Sequence, residues 1–242
     1  MSLAGRGVVV TRPRELAGAL AELLERRGAR AFMFPAIEIQ PLPAPPALGC
    51  VSDFDMVVFV SPSAVRVAAA AMTGRPRVAA AIGEGTLRAL ERAGIAPVIA
   101  PASGADSESL LAQPPMQQLQ GKRVLIVRGE GGRALLGESL AARGANVQYA
   151  ECYRRVRPAL DAAPLLAAAR RGEVDAISVL SAQALDNFLA MTGGEVASLP
   201  FFVPHDRVAS HARSRGVRRV EVAPGGDDAL IERLVAYFHG RT

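Results

Sequence analysis

The sequence aligns with itself. The segment VVVTRPRELAGALAELLERRGA, beginning at Val8, matches VLIVRGEGGRALLGESLAARGA, beginning at Val124, without a gap, superposing Arg12 on Arg128 and Gly28 on Gly144. Two further matches follow in the same order. VVFVSPSAV from Val57 pairs with ISVLSAQAL from Ile177, placing Ser61 on Ser181, and VIAP from Val98 pairs with VEVAP from Val220. A period of half the chain is too long for a solenoid, so the repeat means a duplicated domain. Short apolar runs start at Val8, Ala31, Met56, Val78, Pro97, Arg123, Asn146, Ala176, Phe201 and Arg219, five strand candidates per copy. Runs apolar on both faces belong in a parallel sheet covered by helices. Between them, Leu16, Leu20, Leu23 and Leu24 share a helical face closed by Gly28, as Leu135, Leu136 and Leu140 do before Gly144. Ser61-Pro62 reads as a hydroxyl cap with proline in the first turn. The expected fold class is α/β, with two similar doubly wound five-stranded domains.

The domain boundary is less legible. PLPAPP from Pro41 and YRRVRPALDAAP from Tyr153 occupy equivalent places in the two copies, while QPPMQQLQGK from Gln113 marks the repeat boundary. The chain either splits near residue 116 or crosses out after its second strand and returns, leaving a discontinuous first domain. With 242 residues, 50% hydrophobic and 21% charged, there is material for two folded cores and no compositional sign of disorder. No apolar run approaches the ~18 residues of a membrane span, and the N-terminus lacks a secretory pattern, so a cytosolic protein without membrane association is expected. Cys50 and Cys152 do not make a disulfide scaffold. The net charge is +5 and every basic residue but Lys122 is arginine, whose rigid fork suits carboxylates and phosphates. With 5% aromatics and no Trp, a small polyanionic ligand is expected in preference to nucleic acid.

In doubly wound sheets, ligands sit beyond the carboxyl ends of the strands, where helix N-termini present unpaired N–H groups. Those positions are Thr11-Arg12, Ser61-Pro62-Ser63, Gly83 to Thr86, Ser103 to Ser107, Arg128-Gly129, Ser181 and Pro204-His205. Taken singly, each serves equally well as a helix cap or tight turn. Together they form a rim for anions, with no nucleophile-and-base pair. His205, His211 and His239 lack metal-ligand spacing, Lys122 lacks the phosphate-binding glycine pattern, and no GxSxG occurs. Gly129-Glu130-Gly131-Gly132-Arg133-Ala134 with Glu151 satisfies a dinucleotide fingerprint, against a plain reading as a turn that lets helix and strand pack closely. Tyr153 sits beside Arg154, Arg155 and Arg157. It either packs a connecting strand or gives a proton to a leaving oxygen.

The ordered set VVVTRP, FVSPSAV, AIGEGTLRAL, DSESLL, RVLIVRGEGGRALLGESLAARGA, ECYRR and VLSAQALDNF resembles the uroporphyrinogen-III synthase family over nearly the whole chain. The resemblance implies a cytosolic, usually monomeric lyase of haem and other tetrapyrrole biosynthesis, with no cofactor and no metal. Its substrate is hydroxymethylbilane, closed with loss of water and inversion of ring D. The resemblance also implies two flavodoxin-like lobes joined by a two-stranded linker: residues 1–37 with 156–242, residues 42–150, and connectors 38–41 and 151–155. Tyr153 matches the family's tyrosine, the leading acid candidate, and Arg12, Ser63, Thr86, Arg128 and Ser181 match rim positions. Ser61, Gly83, Gly129 and His205 complete the expected substrate-binding set. VPHDRVA from Val203 departs from a Gly-and-hydroxyl form of that loop, which weakens any hydroxyl role there. A transient contact with the preceding pathway enzyme is a further expectation. Two alternatives remain: a dinucleotide-dependent oxidoreductase using Gly129, Gly131 and Glu151, and a two-lobed small-molecule sensor.

Overall fold

The structure, a computed structural model, describes residues 2–102, 104 and 106–240, so Ser103 and Ala105 of the 103–107 loop lie outside the described residues. The chain divides into two compact units, one made of Met1–Glu38 and Val156–Thr242, the other of Ile39–Arg155. It starts in the first with β1 (Gly7–Val10), α1 (Arg14–Arg26) and β2 (Arg30–Met33), and passes through β3 (Glu38–Pro41). The second unit follows: β4 (Met56–Phe59), α2 (Pro62–Ala69), β5 (Ala79–Ala81), α3 (Glu84–Arg92), β6 (Val98–Ile99), α4 (Ser107–Leu111), β7 (Arg123–Gly129), α5 (Leu135–Ala142) and β8 (Asn146–Val156). The return supplies α6 (Ala163–Arg170), β9 (Ala176–Ser178), α7 (Ala182–Thr192), β10 (Pro200–Val203), α8 (Asp206–Ser214), β11 (Arg219–Val222) and α9 (Gly226–His239). Among the described residues, no helix is long and apolar enough to cross a membrane.

The first sheet has the order β11-β10-β9-β1-β2, the second β3-β8-β7-β4-β5-β6. The strand pairs from β2 to β11, and from β8 to β6, are parallel. Mapping the sequence repeat onto these orders shows an exchange between copies. Each unit takes its first two strands and intervening helix from one copy and its last three strands from the other, so that β2-β1-β9-β10-β11 and β8-β7-β4-β5-β6 are the same doubly wound arrangement. Only β3, beside β8 at the edge of the second sheet, lacks a counterpart among the described residues.

The repeat's shared residues account for the shared geometry. Gly28 and Gly144 both take φ +83°, reversing the chain after α1 and α5 in a left-handed conformation that a side chain would strain. Strands β1, β4 and β10 are buried along their full length, as strands covered on both faces must be. In the first unit Leu20 and Leu24 of α1 pack with Val8, Val10, Phe202 and Leu234. In the second, Leu136 and Leu140 of α5 pack with Val58, Val124 and Ile126. Truncating any of these leucines to alanine costs about 2–5 kcal/mol. These cores fix the strand ends and the helix N-termini beyond them.

Candidate active site

Hydroxyls cap the helices that leave the strand ends. Ser61 is extended, and its Oγ accepts the Ala64 N–H at 3.0 Å, closing the first turn of α2 behind Pro62. Ser181 does the same for α7 through Ala184 N–H at 3.2 Å, so the repeat's paired serines are paired caps. Gly83 precedes α3 in an extended conformation. Ser63 and Thr86, in the first turns of α2 and α3, are buried. His205 precedes α8, exposed and making no side-chain cap.

Tyr153 is the most enclosed of the sequence-predicted site residues. Strand β8 runs eleven residues, and the register between β7 and β8 slips between Arg128 and Gly129, bringing Tyr153 opposite Gly129. The ring is fully buried. A Cβ on Gly129 would lie 2.6 Å from its Cε2 and 2.7 Å from its Cζ, so this glycine makes room for the tyrosine ring. The phenol oxygen lies 2.9 Å from Ser61 Oγ and accepts from Arg155 Nη2 at 3.3 Å. Beside it, burial pushes the Cys152 thiol up to about 11, leaving it protonated and unreactive at neutral pH.

A cavity of about 300 Å³ opens beyond the ends of β4, β5 and β7, lined among others by Val60, Ser107, Arg128, Arg133, Tyr149 and Arg155. Arg128 was expected to be available to a ligand, but the structure commits it. Its Nε and Nη2 both donate to Glu151 Oε1, at 3.1 and 2.9 Å; its Nη1 donates to the carbonyls of Gly132 and Arg133; and its plane lies 3.9 Å from the centre of the Tyr149 ring. Arg128 therefore pins the glycine-rich turn to β8. Its repeat partner Arg12 is likewise bound through both Nη atoms by Asp227 in the first turn of α9, with a side chain only 13% exposed. Among the described residues, the cations lining this cavity without a carboxylate partner are Arg133 and Arg155, which sequence reasoning did not assign to the site. Their signal was position alone: one closes the glycine turn, the other follows Tyr153 by two residues, its side chain returning to the phenol.

The same geometry accounts for the dinucleotide-like motif without a nucleotide. Gly129 accommodates Tyr153, Gly131 has φ +70°, Gly132 lies against the Arg128 side chain, and Glu151 is occupied by Arg128. A larger hollow, about 440 Å³, lies in the first unit between β2 and α6, lined by Phe32, Phe34 and Leu165. Arg14, Arg30 and Arg171 line it as well, with Asp161 and Glu173, but none of the expected site residues does. Among the described residues, no three His, Cys, Asp or Glu side chains are grouped to hold a metal ion.

The family profile described as uroporphyrinogen-III synthase HemD matches residues 18–231. The uroporphyrinogen-III synthase of Salmonella typhimurium is 34% identical, over 94% of this chain and 99% of its own length. That of Escherichia coli is 32% identical over 94% and 99%. Among solved structures, a mutant uroporphyrinogen III synthase from the extremely thermophilic bacterium Thermus thermophilus superposes with a TM-score of 0.56 at 21% identity, covering 96% of this chain and 99% of that one. The Helicobacter pylori enzyme gives 0.56 at 14% identity with the same coverage. These two likenesses carry the fold. The match over residues 18–231 and the relatives above 30% identity lead to one conclusion: the chain belongs to the uroporphyrinogen-III synthase family.

Proposed function

We propose that the uroporphyrinogen-III synthase reaction, closure of hydroxymethylbilane with inversion of ring D and loss of water, is carried out here by the cavity of the second unit, with Tyr153 as the source of acid assistance. The observation behind this is the buried Tyr153 phenol, bound to the Ser61 cap at the end of β4 and to Arg155, a lining residue of that cavity. The substrate carries acetate and propionate groups on every pyrrole. Arg133 and Arg155, uncompensated by carboxylates among the described residues, attract those groups, and the N-termini of α2 and α3 add backbone donors. Ser63 and Thr86, buried in the first turns of α2 and α3, and Gly83 before α3 support those N-termini from behind and do not themselves line the cavity, and Gly129 seats the Tyr153 ring; Ser181 and His205 stand at the corresponding strand ends of the first unit. Arg128 holds the glycine-rich turn beside the cavity in place through Glu151, and Arg12 ties the end of β1 to α9 through Asp227 within the first unit.

The chemistry needs little else. Protonation of the terminal hydroxyl lets it leave as water and gives an electrophilic azafulvene, which ring D attacks through its substituted carbon to form a spiro intermediate. Breaking and remaking that linkage inverts the ring. Because the free bilane closes unaided without inversion, the enzyme's work is to fix conformation and assist one proton transfer. Neither a covalent nucleophile nor a cofactor is needed in this scheme. A substrate that closes on its own also favours direct hand-over, so we extend the proposal to a cytoplasmic protein in transient contact with the enzyme that makes the bilane. Tyr153→Phe tests the acid role: it keeps the ring against Gly129 and removes only the oxygen. Turnover falls by roughly ten- to a thousandfold with the melting temperature little changed. Full activity in the variant, or a loss matched by global destabilisation, refutes the assignment.

A further inference from the structure

The assignment of acid assistance to Tyr153 leaves a geometric difficulty: the phenol is fully buried, so its proton has no direct path to a substrate. The hydrogen bonds around it supply one. Arg155 is a donor only, and it occupies a lone pair of the phenol oxygen. The one acceptor within reach of the phenol O–H among the described residues is Ser61 Oγ, at 2.9 Å. That oxygen has two lone pairs, one taken by the Ala64 N–H at 3.0 Å and the other free for the phenol. If Ser61 donated to the phenol instead, the phenol hydrogen would be buried without an acceptor, which is costly. The bond therefore runs from Tyr153 to Ser61, and the Ser61 hydrogen points out of the pair. Ser61 is only partly buried.

We infer that Ser61 is the group that touches the leaving hydroxyl, passing on a proton that Tyr153 replaces. In this step the Ser61 O–H bond breaks as an O–H bond forms on the substrate's terminal hydroxyl, whose C–O bond then breaks and releases water with its electron pair. The Tyr153 O–H bond breaks as its proton moves to Ser61 Oγ. The phenolate left behind faces the Arg155 Nη2–H. When ring D loses its own proton to regain aromaticity, that proton returns through Ser61 to the phenolate, and the site is restored with no outside acid or base. Ser61 thus combines a helix cap with a relay, and Arg155 positions the phenol and holds its charge.

This rests on the reading of Tyr153 as proton source, and the variants separate the two claims. Ser61→Asn keeps a capping acceptor for Ala64 N–H but cannot relay a proton, whereas Ser61→Thr keeps both functions. Rates on enzymatically generated hydroxymethylbilane are measured with melting temperatures and a proton inventory in mixed light and heavy water. The expected results are a loss of roughly ten- to a thousandfold in kcat for Ser61→Asn, matching Tyr153→Phe, and activity within about threefold of wild type for Ser61→Thr. The double variant is no slower than either single one, because both break the same chain. The wild-type inventory curves, as two protons in flight require, and becomes linear in Tyr153→Phe. If Tyr153→Phe is slow but Ser61→Asn is fully active, the relay is wrong and the acid role stands. If Tyr153→Phe is fully active, the underlying reading fails. If Ser61→Thr is as slow as Ser61→Asn, or the wild-type inventory is linear, Ser61 acts through structure alone and the relay is overturned.

Discussion

Replacing Gly129 with Ala places a methyl group 2.6 Å from Tyr153 Cε2 and 2.7 Å from Cζ. Comfortable carbon–carbon contact is about 3.5–4.0 Å, so ring and strand must separate by about 1 Å. The ring is fully buried and has no solvent to retreat into. Overpacking of this kind costs about 1–3 kcal/mol, or a fall of roughly 2–12 °C in melting temperature. The same displacement stretches the 2.9 Å contact between the phenol and Ser61 past the ~3.5 Å limit of a hydrogen bond. A 1 Å misplacement in a reacting constellation lowers kcat by up to about a hundredfold. Gly121→Ala, away from the residues lining the cavity, is the control: its φ of +72° strains a side chain by about 1–2 kcal/mol, but a Cβ there meets no atom within 4 Å and does not touch Tyr153. Thermal melts and initial rates on hydroxymethylbilane, taken on both variants, separate the effects. Both lose stability; only Gly129→Ala loses most of its turnover. Wild-type stability and kcat in Gly129→Ala, or an equal loss of kcat in Gly121→Ala, refutes the idea that Gly129 exists to seat the tyrosine.

Other outcomes follow from the same contacts. Arg12→Met leaves Asp227 without its partner and destabilises the first unit by about 1–3 kcal/mol, while KM stays within about twofold. Arg133→Met keeps the melting temperature and raises KM by roughly three- to thirtyfold, with a weaker dependence of KM on salt; the opposite pattern in these two variants reverses the division between structural and substrate-facing arginines. For Cys152, the folded thiol's value of about 11 lies above its ordinary 9.0. Below 9.0 both folded and unfolded chains keep the proton; as pH rises from there to about 11 only the unfolded chain ionises, so stability falls. The wild type therefore loses about 2–3 kcal/mol more than Cys152→Ala between those limits in denaturant titrations, and parallel curves for the two proteins contradict it.

The layout of the strands was legible because it rests on local signals. Each of the ten apolar runs is a strand, and the serine caps of α2 and α7 stand where Ser61-Pro62 and its repeat partner put them. Strand β3 was not in that set, since Glu38 and Gln40 interrupt its apolar residues and an edge strand need be covered on one face only. The site was less legible because its decisive contacts join distant positions. Ser61 meets Tyr153 across 92 residues and Arg12 meets Asp227 across 215, separations that no spacing rule reaches. Gly129 shows the converse difficulty: a glycine that a motif assigns to a pyrophosphate is required instead by an aromatic ring on the next strand. The repeat, legible as a duplication, left two divisions open: the equivalent linkers after the second strand of each copy fit an exchange between copies, the proline-rich segment from Gln113 fits a plain split, and the choice is made by the path between strands and not by the strands themselves.

By fixing the conformation of the bilane, the protein directs which carbon of ring D closes the macrocycle. The direct measurement is to generate hydroxymethylbilane in the presence of the purified wild-type protein, oxidise the products and separate the isomers by chromatography. Formation of the type III isomer in excess, at a rate above spontaneous closure and proportional to protein concentration, is the predicted result. The type I isomer alone, appearing at the spontaneous rate whatever the amount of protein, would contradict it.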